Sequence, residues 1–182
     1  MKFIIIHGSY GNSKENWFPW LKSELKTLGH KVEVPNFPNP PEQNLNNWMK
    51  TIENYKIDED TVLIGHSLGV AFILNLLEKH KVKAVFLVSG FVGKLDLEKF
   101  DLVNKTFAEK EFDWARIKSN VGNVFIYHSD NDPYVPMKKA ESLAEKLYVK
   151  VKIIHNAGHI NAKAGYIKFE LLLEDLKKFL LN

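Results

Sequence analysis

Six short apolar runs, separated by stretches of helical periodicity, constrain the fold of this chain more than any other feature. The runs are rich in β-branched residues and cover positions 2–6, 31–34, 61–64, 82–88, 124–127 and 149–154. They are continuous rather than alternating, which is typical of strands that are buried on both faces of a parallel sheet. We therefore expect an α/β fold, a three-layer sandwich with a six-stranded, mainly parallel sheet.

Helical patterns fill the intervals between these runs. Apolar side chains recur at helical spacing over 17–28, 45–55 and 169–180, and further helices are expected over 68–77 and 136–148. The interval 90–122 has no clear strand, and we expect one or two helices there, forming either a small lid or a plain crossover. The length of 182 residues predicts a single domain over 1–182.

Composition argues against several classes of function. The net charge is only +3, from 25 basic and 22 acidic residues without a block of like charge, so we expect neither a nucleic-acid nor a membrane partner. The absence of cysteine excludes a disulfide framework and a thiolate nucleophile. The N-terminal apolar run is four residues, and no apolar segment approaches about 18 residues, so a soluble cytoplasmic protein is expected.

A Gly-x-Ser-x-Gly motif, GHSLG at 65–69, lies between a predicted buried strand and a predicted apolar helix. In that context the motif is the nucleophile elbow, a sharp turn that exposes a serine hydroxyl at the end of a strand. We expect Ser67 to adopt a positive φ, at a cost on the order of 1–3 kcal/mol. Gly65 and Gly69 would allow the strand and the helix to cross closely enough to hold that conformation.

A serine hydroxyl needs a base, and the base needs an orienting carboxylate, in the chain order serine, acid, histidine for this type of elbow. Asp132, in the loop after the fifth predicted strand, is the expected acid. Asp130 is the alternative, which would otherwise brace the loop. His159, after the last predicted strand, is the expected base, and His155 is the alternative, otherwise a residue at the strand end.

The histidines also pose the question of a metal site. His155 and His159 are four residues apart, but two ligands at that spacing need a helix, which the intervening Asn-Ala-Gly opposes. We expect no metal and no cofactor. His7 and His66 are expected to have structural roles, His7 by hydrogen bonding within its own loop.

The loop HGSYG at 7–11 directly follows the first predicted strand. It is placed to offer a backbone N–H, that of Ser9 or, as the second choice, that of Tyr10. Together with the N–H of Leu68 it would form an oxyanion hole, in which one donor typically contributes about 10²–10³ in rate.

The chain resembles the alpha/beta hydrolases and, more narrowly, the small serine hydrolases of the retinoblastoma-binding-protein type. The resemblance covers nearly the whole length and rests on the segments HGSYG at 7–11, NWFPWL at 16–21, PNP at 38–40 followed by Trp48, GHSLG at 65–69, DPYVP at 132–136, and Gly158-His159. It implies a compact hydrolase fold with little or no cap, and it assigns nucleophile, acid and base to Ser67, Asp132 and His159. Some animal members bind a partner through Leu-x-Cys-x-Glu, which a chain without cysteine lacks. Whether the chain has a protein partner is unknown from the sequence.

We therefore expect a serine hydrolase that cleaves small carboxylic esters, amides or thioesters through an acyl-enzyme. Acyl transfer, carbon–carbon bond cleavage, and a catalytically weak binding module remain alternatives, whereas no nucleotide-binding glycine motif is present. The small 90–122 insertion predicts an open, shallow pocket for short acyl groups. The expected pocket walls are Tyr10, Trp17, Phe91, Trp114, Tyr134 and Ile160.

Overall fold

In the computed structural model, which describes residues 1–181, six strands pair in a single sheet. The strands are β1 (Lys2–Ile6), β2 (Lys31–Glu33), β3 (Thr61–His66), β4 (Val82–Val88), β5 (Val121–Ser129) and β6 (Val151–Ile154). Their order is β2-β1-β3-β4-β5-β6, and every adjacent pair is parallel. The predicted six-stranded sheet is confirmed.

Helices cover both faces of this sheet. They are α1 (Phe18–Thr27), α2 (Leu45–Ile52), α3 (Leu68–Leu77), α4 (Glu98–Ala108), α5 (Trp114–Ser119), α6 (Met137–Leu147) and α7 (Glu170–Leu180). The helices α1 and α7 pack with the side chains of one sheet face, and α2 to α6 pack with those of the other. Alternate residues of each strand enter the two separate cores, which gives the expected three layers.

The centre of the molecule is the unit formed by β3 and α3. All six residues of β3 and all ten residues of α3 are buried. A helix that is apolar all round is stable only when neighbours cover every side of it. The turn between β3 and α3 therefore joins two fully buried elements.

The interval 90–122 forms the crossover from β4 to β5 and carries two helices, α4 and α5. Strand β5 begins at Val121, three residues earlier than the apolar pattern predicts. A Cβ at Gly122 would lie 2.6 Å from the Lys83 carbonyl oxygen, so the absence of a side chain lets β5 approach β4 already at this point. Within residues 1–181, no helix has the length and apolar character needed to span a bilayer.

Candidate active site

Ser67 occupies the turn between β3 and α3 with φ 54° and ψ −120°. The positive φ expected from the elbow motif is therefore present. Two backbone hydrogen bonds hold the strained residue: its N–H donates to the Val88 carbonyl at 2.9 Å, and its carbonyl accepts from the Val70 N–H at 3.0 Å. The conformation is imposed by its surroundings, as strained backbone at functional sites generally is.

The two glycines of the motif allow two different close approaches. A Cβ at Gly65 would lie 2.7 Å from Ile73 Cδ1 and 2.9 Å from the Gly69 carbonyl oxygen, so Gly65 lets β3 and α3 cross. A Cβ at Gly69 would lie 2.5 Å from the Ile6 carbonyl oxygen. Gly69 thus brings the first turn of α3 against the end of β1, a contact that the sequence did not predict.

Asp132 and His159 form a buried hydrogen-bonded pair. His159 Nδ1 lies 2.7 Å from Asp132 Oδ2, and the other carboxylate oxygen accepts the N–H groups of Tyr134 at 2.9 Å and Val135 at 3.0 Å. Because a carboxylate only accepts, Nδ1 of the imidazole carries the proton. Nε2 of the neutral ring is therefore the basic nitrogen.

The carboxyl group of Asp132 is ionised at neutral pH despite its burial. Burial alone would raise its pKa, but the hydrogen bonds from His159, Val135 and Tyr134 outweigh that effect and hold the pKa below its ordinary value. A charged carboxylate at this place stabilises a protonated His159, which is what a general base needs after it has taken a proton.

The loop that carries His159 is anchored through its backbone. The His159 carbonyl accepts from His66 Nε2 at 2.9 Å and from Ser89 Oγ at 3.4 Å, and Trp17 Nε1 donates to the Ile160 carbonyl at 3.0 Å. Ile160 has a φ of 47°, which is rare for a β-branched residue and is held by these bonds. The imidazole therefore has a well-defined position.

His66 and His7 have the structural roles expected of them. His66 lies with its ring centre 4.8 Å from that of His159, and burial, together with that neighbour, lowers its pKa to about 3. It therefore stays neutral and keeps Nε2–H as a donor. His7 donates from Nδ1 to the Gly8 carbonyl at 2.8 Å and accepts the Phe37 N–H at 3.0 Å. The specific contact of His66 with the loop that carries His159 was not predicted, because nothing in the motif encodes a partner 93 residues away.

The alternative acid and base pair with each other instead. Asp130 Oδ2 lies 2.5 Å from His155 Nδ1, and Asp130 Oδ1 accepts the Asn156 N–H at 2.8 Å. Both side chains are exposed to solvent. Asp130 thus braces the loop, which is the role expected of it if it is not the acid.

Ser67 and His159 line the same cavity, which has a volume of about 300 Å³. Among the described residues, no hydrogen bond joins the Ser67 hydroxyl to the imidazole. Hydrogen bonds between catalytic groups are often long without a ligand and shorten in the substrate complex. The arrangement of hydroxyl, imidazole and buried carboxylate is suited to nucleophilic attack on a carbonyl group.

The loop after β1 lies directly against Ser67, since a Cβ at Gly8 would be 2.9 Å from Ser67 Cβ. The Tyr10 N–H donates to Gln43 Oε1 at 3.2 Å and is therefore already engaged. Within the described chain, the N–H groups of Ser9 and Leu68 have no protein acceptor. Of the two candidate N–H groups in this loop, that of Ser9 is therefore the one without a protein acceptor among the described residues.

The walls of the cavity differ from those expected. Tyr10 and Tyr134 line it, and Phe100 of α4 packs edge-on between them, with ring centres 6.0 and 5.7 Å apart. The prediction was wrong for the other four residues, whose side chains do not line this cavity. Trp17, Phe91 and Ile160 are in the buried core, and Trp114 lines another depression beside Phe112.

The sequence did not predict that part of the β4–β5 crossover, including α4, lines the cavity. Leu95, Lys99, Phe100 and Asn104 contribute to it from the β4–β5 crossover. The helical pattern of this segment is too weak to show which of its faces points to the sheet end, so no local signal identified them.

Within residues 1–181, no group of three or more His, Asp or Glu side chains is arranged to hold a metal ion. A larger depression of about 620 Å³ lies between β5, β6 and α7, and its lining contains none of the proposed catalytic residues.

In the comparison with known protein families, a family model described as serine hydrolase matches residues 3–178. YdeN of Bacillus subtilis is 30% identical to this chain, and the alignment covers 96% of this chain and 94% of that protein. The rat protein "Serine hydrolase RBBP9" is 28% identical, with 87% of this chain and 86% of that protein covered.

Solved structures agree with these sequence similarities. The crystal structure of the ydeN gene product from B. subtilis superposes with a TM-score of 0.91 at 28% identity, covering 100% of this chain and 99% of that one. Est1E from Butyrivibrio proteoclasticus has a TM-score of 0.72 at 19% identity, covering 99% of this chain and 86% of that one. The second likeness concerns the fold alone.

Proposed function

The chain belongs to the serine hydrolase family, and from that premise we propose that it hydrolyses small carboxylic esters through a triad of Ser67, His159 and Asp132. The observation that carries this proposal is the buried Asp132–His159 pair at the rim of the cavity that also contains the strained Ser67. Amides and thioesters are alternative substrates for the same groups.

The proposed reaction has two halves. His159 accepts the Ser67 proton at Nε2 while the hydroxyl oxygen attacks the carbonyl carbon, and the N–H groups of Leu68 and Ser9 stabilise the negative oxygen. His159 then donates that proton to the leaving alcohol, which yields the acyl-enzyme. Water, deprotonated by His159, attacks the acyl carbonyl and releases the acid and the free Ser67 hydroxyl. Asp132 orients the imidazole and stabilises its charged form throughout.

The size of the cavity supports a preference for short acyl groups. Its volume of about 300 Å³ is at the lower end of the range for small-molecule pockets, about 300–1,000 Å³. We propose that the ligand is a small-molecule acyl substrate and that the reaction needs no nucleic acid, membrane or cofactor. A cytoplasmic location remains a prediction.

The direct test uses Ser67→Ala with Ser142→Ala, an exposed serine on α6, as the matched control. Wild type and Ser142→Ala are expected to hydrolyse p-nitrophenyl acetate and to react with a fluorophosphonate probe, and Ser67→Ala is expected to do neither. Undiminished hydrolysis by Ser67→Ala contradicts the proposed nucleophile. Failure of the probe to label folded wild-type protein favours the binding-module alternative instead.

A further inference from the structure

A chain of hydrogen bonds determines which way the buried amide of Asn104 faces. It begins at the backbone N–H of Tyr10, which donates to Gln43 Oε1 at 3.2 Å. A backbone N–H can only donate, so the group that receives it must be the Gln43 oxygen. The amide nitrogen of Gln43 therefore faces the other way, toward α4.

Gln43 and Ser9 then both donate to the oxygen of Asn104. Gln43 Nε2 lies 3.3 Å from Asn104 Oδ1 and 3.4 Å from the Val103 carbonyl oxygen. Ser9 Oγ lies 2.5 Å from the same Asn104 Oδ1. With its oxygen engaged by two donors, Asn104 is oriented, and its Nδ2 is the group left for another partner.

Asn104 Nδ2 has no acceptor among residues 1–181, although Asn104 is only 2% exposed. Asn104 lines the cavity that contains Ser67 and His159. Nδ2 is not one of the fully enclosed side-chain atoms without a partner among residues 1–181, so this unpaired donor keeps some accessible surface. An unpaired amide donor in the wall of a substrate cavity is therefore a group that a ligand would complete.

We propose that Asn104 determines substrate specificity by donating a hydrogen bond from Nδ2 to an oxygen of the substrate other than the reacting carbonyl. This inference rests on the proposed ester hydrolysis. The substrate class is short esters that carry an ether, hydroxyl or keto oxygen close to the scissile bond. Ser9 contacts Asn104 through its hydroxyl and supplies its N–H to the proposed oxyanion hole, so the additional oxygen is expected to bind near the reacting carbonyl.

Pairs of esters that differ by one atom test the inference. In the acyl part, p-nitrophenyl methoxyacetate has an ether oxygen where p-nitrophenyl butyrate has a methylene. In the alcohol part, 2-methoxyethyl acetate has an ether oxygen where butyl acetate has a methylene. Each kcat/KM is divided by the rate of hydroxide-catalysed hydrolysis of the same ester, which removes intrinsic reactivity. Wild type is expected to favour the ether member of one pair by roughly fivefold to tenfold, the usual contribution of one hydrogen bond.

Asn104→Asp is the informative variant, because it keeps an oxygen for Ser9 and Gln43 but lacks the amide donor. It is expected to abolish the ether preference, even if kcat/KM for both esters of a pair falls by a common factor. Asn104→Leu repeats the test without a new charge. Lys99→Met is the matched control, since Lys99 is a cationic donor in the same cavity, and it is expected to leave the ratio unchanged.

The outcomes separate this inference from the proposed function. If wild type shows no ether preference, or if Asn104→Asp and Asn104→Leu retain it, the role of Asn104 is wrong. The proposed ester hydrolysis is not affected by either result. Loss of the preference in Lys99→Met, with no change in the Asn104 variants, overturns it in favour of Lys99. No Ser67-dependent turnover of any of the four esters overturns both proposals.

Discussion

Two aspartate–histidine pairs lie in neighbouring loops of this protein, and only one of them has the surroundings of a catalytic pair. Asp132 and His159 are 27 residues apart in sequence and Asp130 and His155 are 25 apart, with Nδ1 to Oδ2 distances of 2.7 and 2.5 Å. Residue types, chain order and contact geometry are therefore almost the same in the two pairs.

The pairs differ in their exposure to water. The side chains of Asp132 and His159 are 0% and 9% exposed, whereas those of Asp130 and His155 are 39% and 79% exposed. Charges interact strongly where water is excluded and weakly where it screens them. The comparison teaches that burial, rather than the presence of an acid and a histidine in contact, distinguishes a candidate catalytic pair from a surface contact.

The exposed pair contributes to the position of the buried one. Asp130 accepts the Asn156 N–H at 2.8 Å, and Asn131 Oδ1 accepts the Gly158 N–H at 2.8 Å. These bonds attach the segment just before His159 to the loop just before Asp132. The loop after β5 thus both supplies the buried carboxylate and holds the chain that presents the imidazole.

The largest expected difference between the pairs is in the histidines. His159→Ala removes the proposed base and is expected to lower kcat for p-nitrophenyl acetate by about 10⁵–10⁶-fold. His155→Ala, its matched control, is expected to retain activity within about threefold, because an exposed ion pair contributes little. Stopped-flow and steady-state kinetics measure kcat for both variants. Equal losses in the two would contradict the assignment of His159.

The aspartates give the next largest difference. Asp132→Asn retains an oxygen for the Tyr134 and Val135 N–H groups, but its amide favours the wrong tautomer of His159, and a loss of about 10⁴-fold in kcat is expected. Asp130→Asn keeps an oxygen for Asn156 and is expected to change kcat by less than about threefold. A large loss in Asp130→Asn with normal Asp132→Asn activity would reverse the choice of acid.

His66→Phe is expected to lower the rate by about tenfold, which is less than the loss in His159→Ala or Asp132→Asn, and to have a clear effect on stability. Phenylalanine preserves the ring but leaves the His159 carbonyl with the weaker Ser89 contact, which costs about 1–3 kcal/mol of unfolding free energy at pH 7. Urea denaturation measures this loss. A variant as stable as wild type at pH 7 would show that the bond from His66 does not support the loop.

The pH dependence of stability provides a second measurement on the same variant. The pKa of His66 is about 3 in the folded protein and about 6.5 when unfolded, so the unfolded chain binds an extra proton between these values. Wild-type stability is therefore expected to fall below about pH 6.5, with His66 contributing up to about 1.4 kcal/mol per pH unit. His66→Phe is expected to lack this contribution, and His155→Ala to retain it. Parallel pH profiles for wild type and His66→Phe would contradict the neutral, buried state of His66.

Much of the fold could be predicted because its signals are local. The run 82–88 coincides with β4, the apolar segment 68–77 coincides with α3, and the largest errors are about three residues at strand ends such as that of β5. Continuous β-branched runs and glycine turns reflect the conformational preferences of a few adjacent residues. Tertiary contacts such as the approach of Gly122 to Lys83 extend these elements but do not change their type.

The elbow and the loop positions of Asp132 and His159 were also readable from the sequence, since each follows a predicted strand end. Parallel strands bring their carboxyl ends to one edge of the sheet, so a motif placed after a strand already has an approximate place in space. The positive φ of Ser67 followed from the same local reasoning.

What the sequence determined by itself is the succession of strands and helices along the chain, the elbow at Ser67, and the loops that carry the proposed acid and base. Only the tertiary structure decided that Asp132 is buried while Asp130 is exposed, that Trp17 and Ile160 belong to the core, and that Gln43 orients Asn104. The physical reason is that exposure and hydrogen-bond partners depend on residues far apart in the chain, which no local pattern specifies.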